Sequence, residues 1–395
     1  MNLYSEKFPL IYQTMREEGI DAWMIVGCET ETNSEPVLPI LGELEFIGLT
    51  ALIFEKEGSL RALCTPIDVN GYALSSHFDE VTPYTTTLDE ALTAYAAEHK
   101  PARVALNYSR NNPACDGLTY GRYRYVTKAL AQGGFTGEIL SAEKLVGRVR
   151  GVKSPWEIER ITKAARIAED ILLSLREIIR PGLPVRAVYD FCQSEMERLG
   201  VTHAWSPSIC PGVFAGPVPR GHMAITDRVI ERGQIVNIDF GVKYKGYVSD
   251  LQRCYYLLRE DEDAPPEEVQ RTFETVRDAV RMAAAAALPG RTGFEVDKVA
   301  RDHITGRGYP SWDAALGHQL GQEAHDGGTL LANDRPRYDK PELIHTPIEC
   351  GNVFTMEPSA PCGAGTIGLE EDVVIEEGGA RFLIPPQEEL YLIRA

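Results

Sequence analysis

NIDFGVKYKGYVSD, residues 237–250, decides how this chain folds, because it carries an aspartate near each end of what reads as a β-hairpin. A tight turn centred on Tyr244 and Lys245 predicts Asp239 opposite Asp250 on the neighbouring strand. Directly opposed like charges destabilise a strand pair. A shared proton or a bound cation would offset them. Strand alternation turns Val236, Ile238, Phe240 and Val242 to one face, a core, and Ile235, Asn237, Asp239 and Gly241 to the other, where Asp239 faces a cleft.

Outward from this hairpin the chain reads as helices followed by strands, twice over. In GVKSPWEIERITKAARIAEDILLSLREIIRPG, residues 151–182, Ser154 caps, Pro155 suits the first helical position and Glu157 completes a capping box. Ile158, Ile161, Ala165, Ala168 and Leu172 recur at helical spacing, and Pro181-Gly182 is read as the stop. A second helix over 185–199, ended by Gly200, leads to the opening hairpin. Helices near 267–287 and 293–307 lead to a second candidate hairpin, NVFTMEP to GLEEDVVIEEGG. Two similar halves are therefore expected within residues 151–395. Before them, DAWMIVG, LTALIF, LRALC and RVALNYS alternate with helical patterns, so residues 1–150 read as a separate small α/β domain.

With 395 residues, 44% hydrophobic and 25% charged, the chain has the composition of a globular protein with room for two cores. A net charge of −18 argues against a phosphate backbone or an anionic membrane as partner, since both are held by clustered Lys and Arg. The start, MNLYSEKFPLIYQTMREEG, lacks the basic-then-apolar pattern of a signal peptide, so the expected location is cytoplasmic. Eight cysteines stand singly without a CxxC pair, which fits reduced thiols rather than disulfides or a thiolate metal site.

The second hairpin repeats the theme of the first. VFTMEPSAP sets Glu357 on one strand, and GLEEDVVI sets Glu370 or Glu371 on the next. Between the hairpins, LGHQLGQEAHDGG holds His318 and, seven residues on, His325. Four carboxylates and an imidazole converging would suit hard or borderline divalent cations, with Mn²⁺ first and Zn²⁺, Co²⁺ or Fe²⁺ possible by the same chemistry. So many acids point to two ions sharing bridging carboxylates, about 3.5–4 Å apart in such sites.

DFGVKYKGYVSD, GHQLGQEAHD, FTMEP and LEEDVVI, in that order, resemble the pita-bread metallopeptidases: methionine aminopeptidase, aminopeptidase P, prolidase and the related creatinase. The resemblance covers residues 155–395, and the preceding domain looks like the amino-terminal domain of prolidase, aminopeptidase P and creatinase. It implies an α/β amino-terminal domain followed by an α+β pita-bread domain of two similar halves. It also implies Asp239 on one metal, Asp250 and Glu370 bridging both, and His318 and Glu357 on the other. His222, in GPVPRGHMAITDR, and His325 look like the family's substrate-contacting histidines. The implied activity is hydrolysis of short peptides, most of all Xaa-Pro exopeptidase cleavage by a water that bridges two divalent ions. Glu357 would act as general base and His325 as oxyanion donor, in a homodimer.

Two positions depart from the prolyl-specific pattern. Those relatives carry a histidine where this chain has Ala314 and an arginine where it has Gly368. The departures keep open a hydrolase of small non-peptide C–N bonds on the same fold. A catalytically retired interaction protein is the other alternative, and retention of all five ligand positions argues against it.

Overall fold

A computed structural model of the chain describes residues 3–29, 35–41, 46–75, 77–218, 221, 223–335 and 341–394. It divides into two compact units, Met1–Arg150 and Gly151–Ala395.

The first unit is built on six strands: β1 (Ala22–Gly27), β2 (Thr50–Glu55), β3 (Ser59–Cys64), β4 (Glu80–Pro83), β5 (Arg103–Leu106) and β6 (Glu138–Ser141). Their order is β4-β3-β2-β1-β5-β6. β1 runs antiparallel to β2 and parallel to β5. Every residue of β1 is buried because both sheet faces are covered. Strand alternation sends Trp23 and Ile25 into a core with Ile11, Met15, Leu145 and Val149, and Met24 and Val26 into a core with Leu88, Leu92, Val126 and Leu130.

The second unit opens with the helix Pro155–Ser174, whose Ser154 and Glu157 form the reciprocal capping box. This helix stops earlier than Pro181-Gly182. Ser174 Oγ donates back to the Asp170 carbonyl at 2.8 Å, and the chain tightens into a 3₁₀ turn over Leu175–Glu177. The helix Val185–Leu199 follows and ends at Gly200. The strands of this unit are β7 (Thr202–His203), β8 (Gly212–Ala215), β9 (Ile235–Phe240), β10 (Val242–Tyr244), β11 (Tyr247–Val248), β12 (Leu251–Leu257), β13 (Gly317–His318) and β14 (Leu330–Leu331). They continue as β15 (Val353–Met356), β16 (Ser359–Cys362), β17 (Gly365–Gly368), β18 (Glu371–Glu376), β19 (Gly379–Phe382) and β20 (Tyr391–Ile393).

One half places its helices over the sheet β20-β12-β9-β8, with Ala165, Ala168, Leu172, Val188 and Cys192 packed on Val236, Ile238, Phe240 and Tyr255. In the other half the helices Glu267–Ala286 and Gly293–Gly306 cover β15-β18-β19 and the β16-β17 pair. Phe273, Val276, Val280 and Ala300 meet Phe354, Met356, Val373 and Ile375 there. The halves join at the bridge between Gln252 and Glu370. Among the described residues, no helix is long and apolar enough to cross a membrane.

The opening hairpin turns one residue later than its sequence reading. Tyr244 pairs with Tyr247, so the turn is Lys245-Gly246, with φ of 47° and 83°. A two-residue turn that follows strand twist needs positive φ at both positions, and glycine supplies it where Tyr244 would be strained. Asp239 therefore lies opposite Gln252 rather than Asp250. Moving a turn by one residue changes each partner by two, so side-chain parity survives and both aspartates still share a face.

Candidate metal centre

Strand register brings the acids into one row. Gly212 on β8 faces Asp239 on β9, Asp239 faces Gln252 on β12, and Gln252 bridges to Glu370. On the far side Met356 pairs with Glu371 and Ser359 with Gly368, and the same register sets Glu357 opposite Glu370. His318 arrives on β13 by a close backbone approach. A Cβ on Gly317 would stand 1.9 Å from the Thr355 carbonyl oxygen, so only glycine allows β13 to lie there. The His318 N–H then donates to Thr355 Oγ1 at 3.2 Å.

Ligand-type atoms of Asp250, His318 and Glu370 all lie within 4.8 Å of one another, and all three residues are buried. His318 Nε2 stands 3.8 Å from Asp250 Oδ2 and 3.7 Å from Glu357 Oε1, too far for hydrogen bonds. Asp239 acts on the same cluster electrostatically, raising both Asp250 and Glu370. The rings of His318 and His325 are 4.3 Å apart at their centroids. His222 lies outside the described residues.

Burial, then Glu370 and Asp239, hold the Asp250 carboxyl well above its ordinary range. Burial, then Glu357 and Asp239, do the same to Glu370. Among the described residues, Asp250 Oδ1 is buried without a hydrogen-bond partner, and so is Asp372 Oδ1. Arg253, next to Gln252 in sequence, is committed elsewhere, to Glu169 at 2.7 Å and Glu371 at 3.0 Å. Clustered buried acids of this kind need added positive charge. Carboxylates with one imidazole form the donor set that hard and borderline divalent ions prefer. The residues present thus fit a divalent metal.

Four features of the site escaped sequence reading. Gln252 Nε2 donates to Glu370 Oε2 at 2.7 Å. Asp372 Oδ2 accepts the Asp250 N–H at 3.2 Å, and strand alternation from Glu370 could have found it. The Arg253–Glu371 pair separates the two adjacent glutamates, leaving Glu370 alone to face Asp250. The loop carrying His325 is anchored by a buried pair, Lys153 Nζ to Asp326 Oδ2 at 3.1 Å. No local spacing signals that pair, whose members are 173 residues apart. At the two departures, the Ala314 carbonyl accepts from Arg301 at 3.2 Å and the Gly368 carbonyl accepts from Asn237 at 2.9 Å.

Residues 159–377 match the model of metallopeptidase family M24. A curated Xaa-Pro dipeptidase of Pyrococcus furiosus is 30% identical over 255 residues, 64% of this chain and 68% of that protein. An uncharacterised peptidase of Bacillus subtilis is 29% identical over 278 residues, 70% of this chain and 73% of that one. Among solved structures, the Xaa-Pro dipeptidase from Bacillus anthracis superposes with a TM-score of 0.73 at 23% identity, covering 99% of this chain and 100% of that one. This likeness shows the pita-bread fold.

Proposed function

We propose, from the premise that this chain belongs to metallopeptidase family M24, that it is a dinuclear-metal exopeptidase that releases the first residue of short Xaa-Pro peptides. The observation that carries the reading is the buried meeting of Asp250, His318 and Glu370, two acids raised by burial and by neighbouring carboxylates and an imidazole, whose ligand-type atoms lie within 4.8 Å of one another. Asp239, Asp250, His318, Glu357 and Glu370 would hold two divalent ions, Mn²⁺ by preference over Zn²⁺, Co²⁺ or Fe²⁺. When bound, such ions supply Lewis acidity, easing deprotonation of water and polarising the carbonyl under attack.

The chain's own groups do the rest. Glu357 takes the proton of the attacking water on its carboxylate and passes it to the leaving nitrogen. His325, its ring tilted against that of His318, donates a hydrogen bond to the oxygen on which negative charge develops. Lys153 and Asp326 keep the His325 loop in place. The proposal includes a cytoplasmic homodimer.

Hydrolysis of Xaa-Pro dipeptides and of longer Xaa-Pro peptides, with added Mn²⁺ and after chelation, tests it. Metal-dependent release of the first residue is the expected result. No release from either peptide length would reject the substrate. Turnover of small amides or cyclic amidines instead would select the non-peptide alternative, which Ala314 and Gly368 in place of the prolyl-specific histidine and arginine favour.

A further inference from the structure

Gln252 occupies the seam between the halves. Its backbone N–H donates to the Glu370 carbonyl at 3.2 Å, and the Glu370 N–H returns to the Gln252 carbonyl at 3.4 Å. Its side-chain amide holds Glu370 Oε2 at 2.7 Å, and only 3% of the residue is exposed. One position on, Arg253 holds Glu371 through Nη1 and Nη2 at 3.0 and 3.1 Å. Two consecutive residues of β12 thus grip two consecutive glutamates with different chemistry.

The difference has a physical consequence. A guanidinium cancels the charge of the carboxylate it grips, and such a carboxylate has little left for a second cation. An amide N–H fixes the carboxylate in place and leaves its full charge. Without that bond, repulsion from Glu357 and Asp239 would drive the Glu370 side chain through other rotamers, and ordering it again would oppose cation binding.

We propose that Gln252 is a positioning residue that presents the Glu370 carboxylate to a divalent cation, and that this position requires a donor without charge. The inference rests on Glu370 as a metal-holding residue.

Calorimetric titration of chelator-stripped protein with Mn²⁺ tests it, using wild type, Gln252→Leu and Gln252→Lys, with thermal melts of each metal-free form. Loss of the donor in Gln252→Leu is expected to weaken Mn²⁺ binding roughly tenfold to a hundredfold, the usual effect of removing a ligand's supporting hydrogen bond. Gln252→Lys is expected to abolish binding. Its metal-free form should melt no lower than wild type, because the ammonium pairs with Glu370, so the loss is not unfolding. Binding by Gln252→Leu within twofold of wild type, or Mn²⁺ uptake by Gln252→Lys, overturns the proposal. Wild-type protein that binds no Mn²⁺ at all would instead remove the metal-site reading beneath it.

Discussion

Glu370 and Glu371 are neighbours in sequence, both almost wholly buried, and they live in opposite electrostatic company. Glu371 meets the Arg253 guanidinium and the Gln387 N–H, and Arg253 also meets Glu169. Burial pushes the Glu371 carboxyl up, but Arg253 draws it back, to about 7. On the other face Glu370, Asp250 and Asp372 stand together, all raised well above the ordinary carboxylate range, first by burial and then by one another or by neighbouring acids. The first patch carries its own counter-charge. The second is a crowd of buried acids that added protons or cations would balance, a pattern common where side chains are arranged for binding or catalysis.

Breaking the balanced patch should have the largest effect. Arg253→Met leaves Glu371 and Glu169 without their cation and should cost about 3–5 kcal/mol in urea unfolding, a large share of a domain's stability. A loss under 1 kcal/mol would erase the distinction between the patches. Asp250→Asn acts on the other patch and should do the reverse to the metal-free protein, raising its melting temperature by removing one of the crowded acids. The same substitution should lower peptidase activity roughly a thousandfold, since metal ions supply several kcal/mol of transition-state stabilisation.

A smaller effect sharpens the comparison through pH. Because the folded-state carboxyls of Asp250, Glu370 and Asp372 are raised, the folded metal-free protein binds more protons than the unfolded chain. Their stabilising contribution is complete below the ordinary carboxylate range and is lost as pH rises through it toward the raised values. Each group steepens that fall by up to about 1.4 kcal/mol per pH unit. Unfolding of metal-free wild type and Asp250→Asn across this range should show the shallower decline in the variant, and Mn²⁺ should flatten the wild-type curve. Identical slopes would count against the crowding of these acids.

Much of the frame was legible because it is written locally. The capping box at Ser154 and Glu157, the helix over 185–199 and the alternation of β9 each need only a few neighbouring residues. The hairpin register was misjudged because Lys245 gives no hint that it adopts positive φ, although parity kept Asp239 and Asp250 on one face. The choice between Glu370 and Glu371 depends on partners from β12, and Glu169 reaches Arg253 from 84 residues away. Spacing along one chain cannot carry that information. Gln252 escaped for a related reason, since an amide two residues beyond Asp250 looks like ordinary strand polarity until its partner across the seam is known.

Anomalous scattering from crystals grown with Mn²⁺ tests the central claim most directly. Two peaks among Asp239, Asp250, His318, Glu357 and Glu370, with Glu371 still paired to Arg253, are the result expected. Density without anomalous signal at that cluster, with the acids held by protons or by a lysine or arginine, would contradict it.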